Sequence, residues 1–426
     1  MLQINFIRDH RDLVLAGLNK RNFGPEAESL LTQVIELDDQ RKTTQKSLDD
    51  LLAESNSLSK QIGMLYKTGK QEEANQMKAK VADNKELVQN LQEKMNGFRG
   101  SIEEILFKIP NHPNSVVPEG KGENDNVVHR DWPNPLPELA EGAKPHWELA
   151  KDYNIFSLEI GTKLTGAGFP VFRKKGARLQ RALINFFLDE AEKAGYEETV
   201  VPLLVNEATG RGTGNLPDKE GQMYYVEKDD LYLIPTAEVP ITNIYRDEIL
   251  DMKDFPIKMC GYTPCFRREA GSYGAHVRGL NRVHQFDKIE IVQISHPDNS
   301  YELHQEMLAH VSNLLDKLEL PYRILTLCGG DLTFASSLTY DFEVYSAAQK
   351  RWLEVSSVSN FETYQSNRMK LRYRGADKKT HLAHTLNGSA LALARIIACL
   401  IENNQTPKGI KIPAVLVPYT GFEYIN

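Results

Sequence analysis

The chain is poor in cysteine and has no long apolar run. Its four cysteines, Cys260, Cys265, Cys328 and Cys399 among 426 residues, show neither CxxC nor zinc-finger spacing. That pattern favours free thiols in a reducing compartment over a disulfide framework or a metal knot. No apolar run approaches the roughly 20 residues of a membrane span, and the opening MLQINFIRDHRDLVLAGL mixes acids and bases among apolar residues. No membrane association and a cytoplasmic location are therefore expected. Basic charge is not in excess: 51 Lys and Arg against 58 Asp and Glu leave a net charge of -7. This argues against a generally basic nucleic-acid coat and leaves any polyanion to meet a local patch. The loops GxxxxGK[ST] and GxGxxG are both absent, which removes the two common nucleotide cradles. The length predicts two or three domains.

A strong repeat runs from Ala27 to Phe107, where there is no proline. Leu30, Val34, Leu37, Arg41, Thr44, Leu48, Leu51, Ser55, Leu58, Ile62 and Leu65 alternate steps of four and three. After YKTGK the alternation resumes with Ala74, Met77, Val81, Asn84, Val88, Leu91, Met95, Phe98, Ile102 and Ile105. Such steps are the seam of a coiled coil, because a 3.5-residue repeat keeps one stripe facing its partner. Two helices joined by a short Gly-containing turn predict an antiparallel hairpin, an arm about 60 Å long at about 1.5 Å per residue. Asn84 falls opposite Ser55, a polar layer that sets register. A dimerisation coil is the competing reading of these heptads. The lysines along it (Lys60, Lys67, Lys70, Lys78, Lys80, Lys85 and Lys94) stand among acids, and charge alone does not choose the partner.

Seven of the 20 prolines lie within residues 110–145, which predicts a linker or irregular crossover. Beyond it RLQRALINFFLDEAEKAGY reads as a helix ended by Gly195, and EETVVPLLV as a strand interrupted at Pro202. Further strands are predicted at DLYLIP, IKMCGYTPCFR, KIEIVQI, YRILTL and RWLEVSSV, and helices at DNSYELHQEMLAHVSNLLDKLEL and SALALARIIACLIENN. Strand hairpins outside a regular strand-helix alternation favour an α+β domain on a mostly antiparallel sheet.

The segment CFRREAG, Cys265 to Gly271, sets two arginines and a glutamate at the end of an apolar strand. In an extended strand Arg267 and Glu269 would share one face, and on the returning strand His284, Phe286, Lys288 and Glu290 would share another. A solvated sheet surface is the plain reading. Yet an arginine, an accepting acid, an aromatic plate and a second acid in one hairpin also suit a nucleotide: guanidinium for phosphate, ring for base, carboxylate for amine. Three segments add to it. LIPTAEVPI places Thr236 and Glu238 at a strand end, EVSSVSN sets Glu354 before Ser356 and Ser357, and TLNGSALALAR alternates Gly388, Ala390, Ala392 and Ala394 before Arg395. Taken singly these are a loop, a strand end and a close-packed helix. His381 and His384 lack a third partner for a metal and read as structural.

In this order the segments resemble the bacterial-type seryl-tRNA synthetases, class II aminoacyl-tRNA synthetases, over essentially the whole chain. CFRREAG followed by RGLNRVHQFDKIE is similar to the second signature motif, TLNGSALALAR to the third, and the helix plus strand through Pro202 to the first, dimer-forming motif. PTAEVP, EVSSVSN and the helical hairpin resemble the seryl branch. The resemblance implies an N-terminal tRNA-binding hairpin over residues 1–109 (coiled coil about 27–107), a linker over 110–145, and a class II catalytic domain over 146–426. It implies an ATP-dependent, AMP-forming ligase that makes seryl-adenylate and passes serine to tRNA(Ser), and to tRNA(Sec) where present. Arg267 and Arg395 would be catalytic, at the α- and γ-phosphates. ATP would also meet Arg268, Glu269, Val283, Phe286, Glu354, Val355, Ser356 and Ser357, with Mg2+ on Glu354 and Ser357. L-serine would meet Thr236, Ala237, Glu238, Glu290 and Ser389. A cytoplasmic homodimer using the arm to reach tRNA completes the expectation. Ala275, His276 and Val277 depart from the family's loop pattern, and Ala394 stands where related classes often carry an acid.

Overall fold

The steps of four and three produce two long helices. The computed structural model describes residues 1–218, 221–269 and 277–426, and the chain divides into two units, residues 1–19 with 23–110 and residues 20–22 with 111–426. In the first unit α1 (Ile4–Asp9) and α2 (Arg11–Lys20) precede α3 (Ala27–Lys67) and α4 (Gln71–Leu106). Every stripe position from Leu48 to Leu65 and from Ala74 to Ile105 is at least partly covered, and most residues between are exposed. Near the start of α3 the covered line moves one residue along, to Leu31 and Asp38. The cause is α1, whose Arg8 donates to Asp38 at 2.9 Å and to Asp39 at 2.7 Å. Arg41 and Lys42 also reach Asp38, at 2.7 and 2.8 Å. Burial raises this carboxyl, but hydrogen bonds from Lys42, Arg41 and Arg8 outweigh it and hold it at about 2. In the expected polar layer Asn84 is buried, but its amide donates to Glu54 at 3.3 Å and not to Ser55.

The second unit is built on an eight-stranded sheet. Its strands are β1 (Val127–Arg130), β2 (Glu197–Glu198), β3 (Ile257–Phe266), β4 (Gln285–Ser295), β5 (Tyr322–Thr326), β6 (Leu338–Ser346), β7 (Arg351–Glu362) and β8 (His384–Ala392). Their order is β1-β5-β6-β7-β8-β4-β3-β2, antiparallel throughout except β2 beside β3. Helices α6 (Lys174–Lys193), α7 (Ser300–Lys317) and α8 (Leu393–Asn403) follow the short α5 (His146–Asp152). Phe186 and Phe187, Met307 and Val311, and Ile396 and Leu400 pack from these three helices on Ile289, Ile291, Phe342, Val358 and Leu386 of the sheet. Burying one Leu, Ile or Phe side chain contributes roughly 1.5–3 kcal/mol, so this helical face anchors the unit. The even positions of β4 turn away from it: Val292 and Ile294 join Ala237, Met259 and Leu371 in a second cluster.

Four local readings change. The proline-rich stretch contains an edge strand, β1, exposed along its length, with the Arg130 guanidinium 5.1 Å above the Tyr322 ring. EETVVPLLV splits into Glu197–Glu198 and Leu204–Val205, in different sheets, as the missing amide of Pro202 requires. SALALARIIACLIENN begins as strand: its first four residues, through Ala392, belong to β8 and the helix begins at Leu393. Finally, β3 ends at Phe266 and Glu269 has φ +50, so Arg267 and Glu269 are not alternate residues of one strand. All four cysteines are free and buried.

Candidate active site

The face of the sheet opposite the helices carries a polar cluster where β4 and β8 meet. Glu290 stands across from Ser389, and both share the side of Asn387. Lys288, two residues before Glu290, points the same way, and its ammonium lies 2.5 Å from Glu290 Oε2 and 2.9 Å from Thr236 Oγ1. The Thr236 hydroxyl donates to the same Glu290 oxygen at 3.2 Å. Lys288 and Glu290 are 5% and 2% exposed, so this is a buried ion pair, and such pairs cost desolvation that their attraction only partly offsets. Thr236 in turn accepts from the Glu238 backbone N–H at 3.2 Å. The Glu238 carboxyl takes a hydrogen bond from Gln365 at 2.6 Å. Burial and the neighbouring Glu290 charge push it up to about 7, against the lowering effects of Gln365, Lys288 and Asn387. One patch thus holds a charge-balanced carboxylate, a carboxyl poised near neutrality and an ordered hydroxyl.

Next to it, past the end of β3, the Arg267 Nε–H donates to Pro235 O at 3.4 Å and its guanidinium lies 5.3 Å from the centre of the Phe286 ring. Phe286 pairs with Cys265 across the hairpin, which fixes the ring beneath the arginine. Arg268 sits over the Tyr224 ring at 5.6 Å, and Glu269 is paired with Arg282. Arg395, in the first turn of α8, donates to Asn281 O at 2.8 Å and to Glu354 O at 2.7 Å, with the Glu354 carboxylate 3.6 Å away. Ser356 Oγ donates to Ser389 O at 2.5 Å, linking this side to the polar cluster. Asp341 stands across from Ser357; its Oδ1 is buried without a partner, and burial and then Glu354 hold its carboxyl well above the usual range.

The residues named from sequence therefore fall into two adjoining groups. Thr236, Glu238, Glu290 and Ser389 gather at the β4–β8 junction. Arg267 follows the end of β3 and Phe286 lies at the start of β4, while Glu354 and Ser357 lie along β7 and Arg395 in the first turn of α8 beside Glu354. Val283, Val355 and Ala237 are buried in apolar clusters, which leaves their backbone alone for polar contact. The loop positions Ala275 and His276 lie outside the described residues. Alternation put Lys288 on the face of Glu290 without giving it a role, whereas Asn387 and Gln365 were not foreseen; Asn387 carried a signal, since it lies two residues from Ser389 on its strand. His384 bonds Ser300 Oγ at 2.8 Å and His381 bonds Asp377 at 3.0 Å, and among the described residues no cluster of three metal-binding side chains exists.

Along 428 aligned residues, 100% of this chain and 99% of the relative, the sequence is 48% identical to the "Serine--tRNA ligase" of Salinibacter ruber. The chain belongs to the seryl-tRNA synthetase family. A second member of the family, from Prosthecochloris aestuarii, is 45% identical over 100% of this chain and 99% of its own length. Residues 1–113 match the Seryl-tRNA synthetase N-terminal domain, and residues 224–404 match the tRNA synthetase class II core domain (G, H, P, S and T). Among solved structures, the seryl-tRNA synthetase of Pyrococcus horikoshii complexed with ATP is similar at TM-score 0.91 and 33% identity, with 99% of each chain covered. The cytoplasmic serine-tRNA ligase of Naegleria fowleri in complex with AMP is similar at 0.88 and 26% identity, with 100% of this chain and 99% of that one covered. No helix among the described residues of this seryl-tRNA synthetase family member is long and apolar enough to cross a membrane.

Proposed function

We propose that the chain activates L-serine with ATP, forming seryl-adenylate and pyrophosphate, and then transfers serine to the terminal ribose of tRNA(Ser), and of tRNA(Sec) where present. The buried set Thr236, Lys288, Glu290, Glu238 carries this reading. Its donors and acceptors match an amino acid with a hydroxyl on its side chain: Glu290, paired with Lys288, accepts from hydroxyl or ammonium, and Glu238 accepts from ammonium. A site built to hydrogen-bond a hydroxyl rejects the analogue without it by up to about 10⁴ to 10⁵, because its own polar groups are then left unpaired. Ser389 closes the same face, and Ala237 contributes backbone.

The serine carboxylate attacks the α-phosphorus, an oxygen–phosphorus bond forms, and pyrophosphate leaves with the electron pair of the bond that breaks. Arg267 neutralises charge that grows on the α-phosphate, and Arg395 holds the γ-phosphate; help aimed at developing charge is the strongest that side chains supply. Phe286 stacks on adenine once the base takes the place beside Arg267, and Glu269 accepts from the exocyclic amine. Arg268, Val283, Val355 and Ser356 frame the nucleotide. Glu354 and Ser357, with the unpartnered Asp341 oxygen beside them, form an oxygen-rich set that fits Mg2+, and these residues would hold it. When bound, the cation neutralises phosphate charge. The arm lysines meet tRNA backbone phosphates, so recognition is by shape. The α6 helix and the segment through Pro202 are the surface of a homodimer, and the cytoplasm is the location.

Serine-dependent exchange of pyrophosphate into ATP, measured beside alanine, glycine and threonine, tests the reading. Exchange with serine alone is the expected result; no exchange with serine would point to a silent tRNA-binding relative.

A further inference from the structure

Behind the second motif lies a buried polar chain that none of the roles above uses. His146 and Glu402 are both 0% exposed. Glu402 Oε1 accepts from the His146 backbone N–H at 2.8 Å and stands 2.6 Å from His146 Nδ1. It also accepts from Gln349 Nε2 at 3.0 Å, while Oε2 accepts from Ser346 Oγ. The Glu402 carboxylate is thereby filled with donors. On the other side of the ring, the Leu280 backbone N–H donates to His146 Nε2 at 2.8 Å. Nε2 must then carry its lone pair and Nδ1 the proton: the imidazole is neutral and spans carboxylate and backbone. The fit leaves no slack. A Cβ on Gly279 would fall 2.1 Å from Nε2, and Gly279 has φ +71. Gln349 also reaches forward, accepting from Asn281 Nδ2 at 2.9 Å. Asn281 O is the acceptor of Arg395 Nε.

We propose that Glu402, His146 and Gln349 are positioning residues that hold the returning leg of the second-motif loop, Gly279 to Asn281, and through the Asn281 carbonyl aim the Arg395 guanidinium at the nucleotide. Four elements meet at this chain: α5 gives His146, the turn after β6 gives Gln349, α8 gives both Glu402 and Arg395, and the loop gives Leu280 and Asn281. The two signature motifs are thus locked to each other from beneath, by groups that touch neither ATP nor serine. The proposal rests on the nucleotide role of Arg395 given above.

The test uses the full chain. His146→Asn keeps an amide donor for Glu402 at the Nδ1 position and removes the acceptor at Nε2; His146→Gln restores an acceptor there. His146→Asn is expected to lower kcat/KM for ATP in pyrophosphate exchange roughly ten- to a hundredfold, the equivalent of one buried donor left unpaired. The KM for serine should stay unchanged, and His146→Gln should recover most of the loss. Calorimetric ATP affinity supplies the double-mutant cycle: His146→Asn should weaken binding in the wild-type background but add nothing to Arg395→Ala. Losses that multiply, a serine KM that rises with that for ATP, or a His146→Gln variant as impaired as His146→Asn would each overturn the proposal. Should His146→Asn fail to fold, Gln349→Met breaks the bridge to Asn281 and must show the same ATP-only loss. A wild type that binds ATP but gives no exchange with serine overturns the activity instead, and the affinity cycle still decides on the clamp.

Discussion

Glu238 makes serine use sensitive to pH, in a direction opposite to its effect on stability. Its carboxyl faces Gln365 at 2.6 Å, and burial followed by the Glu290 charge raises it from 4.5 to about 7. About a tenth of it is then ionised at pH 6 and about nine tenths at pH 8. If the ionised form takes the serine ammonium, kcat/KM for serine rises about tenfold between those values and levels off above them. Free-protein stability runs the other way. A carboxyl raised on folding contributes stability that is complete below its unfolded value and is lost as pH climbs through about 7, so the melting temperature without serine falls across the same window. Glu238→Gln keeps an amide in the space and removes the charge. It should flatten both profiles and lower kcat/KM at pH 8 roughly 10- to 100-fold, the value of a hydrogen bond to a charged group. The assay is pyrophosphate exchange at saturating ATP with serine titrated at each pH, beside thermal melts of the free protein. A Glu238→Gln variant with the wild-type slope would refute the assignment, as would a wild type whose serine use weakens from pH 6 to 8.

Arg267→Ala removes the cation placed at the α-phosphate and should reduce exchange by at least about 10², the usual loss for one donor aimed at developing charge, with an unchanged melting temperature; undiminished exchange would take Arg267 out of the site. Deleting residues 30–105 with a short bridge should spare exchange and cripple charging of tRNA, measured with radiolabelled serine, and preserved charging would mean that the arm serves another partner. Asp38→Ala strips the shared counter-ion from Arg8, Arg41 and Lys42. Since that carboxyl is held low, at about 2, its contribution is present above its unfolded value and fades only as pH falls through about 2. The variant should therefore speed hydrogen exchange in α1 and the first turns of α3 at pH 7, and unchanged protection would assign the cluster to the surface.

How much of this could be read in the sequence depended on whether the signal was local. The heptad stripe gave the arm because each covered position is set by its neighbours three and four residues away. It slipped by one at Leu31 and Asp38 because α1, distant in sequence, supplies Arg8 there. The period of two in KIEIVQI marked β4 in the same way. TLNGSALALAR carried that period too, in its spaced small residues, but alanine and leucine favour helix, and pairing with β4 and β7 overrode them as far as Ala392. Gly388 shows what the small residues are for, since a Cβ there would meet Val358 at 3.1 Å and Met307 at 3.4 Å.

The charges after β3 and along β4 pose the harder case. Alternation says that Lys288 and Glu290 point together, yet it cannot say whether they meet water or each other. Register decides it: Glu290 faces Ser389 on a central strand, and the return of the chain through Thr236 covers both charges. An apolar pair of similar volume in that place would be as stable or more so, because the desolvation of two charges is only partly repaid by their attraction. Stability therefore does not explain Lys288 and Glu290. What they provide is a carboxylate buried against an ammonium group with one hydroxyl already oriented on it, and that property is useful only to a ligand that replaces the hydroxyl's hydrogen bonds with its own. Gln365, Asp341 and the His146–Glu402 pair had no local signature, since Gln365 bonds Glu238, His146 bonds Glu402 from a distant helix, and Asp341 meets Ser357 only through the pairing of β6 with β7.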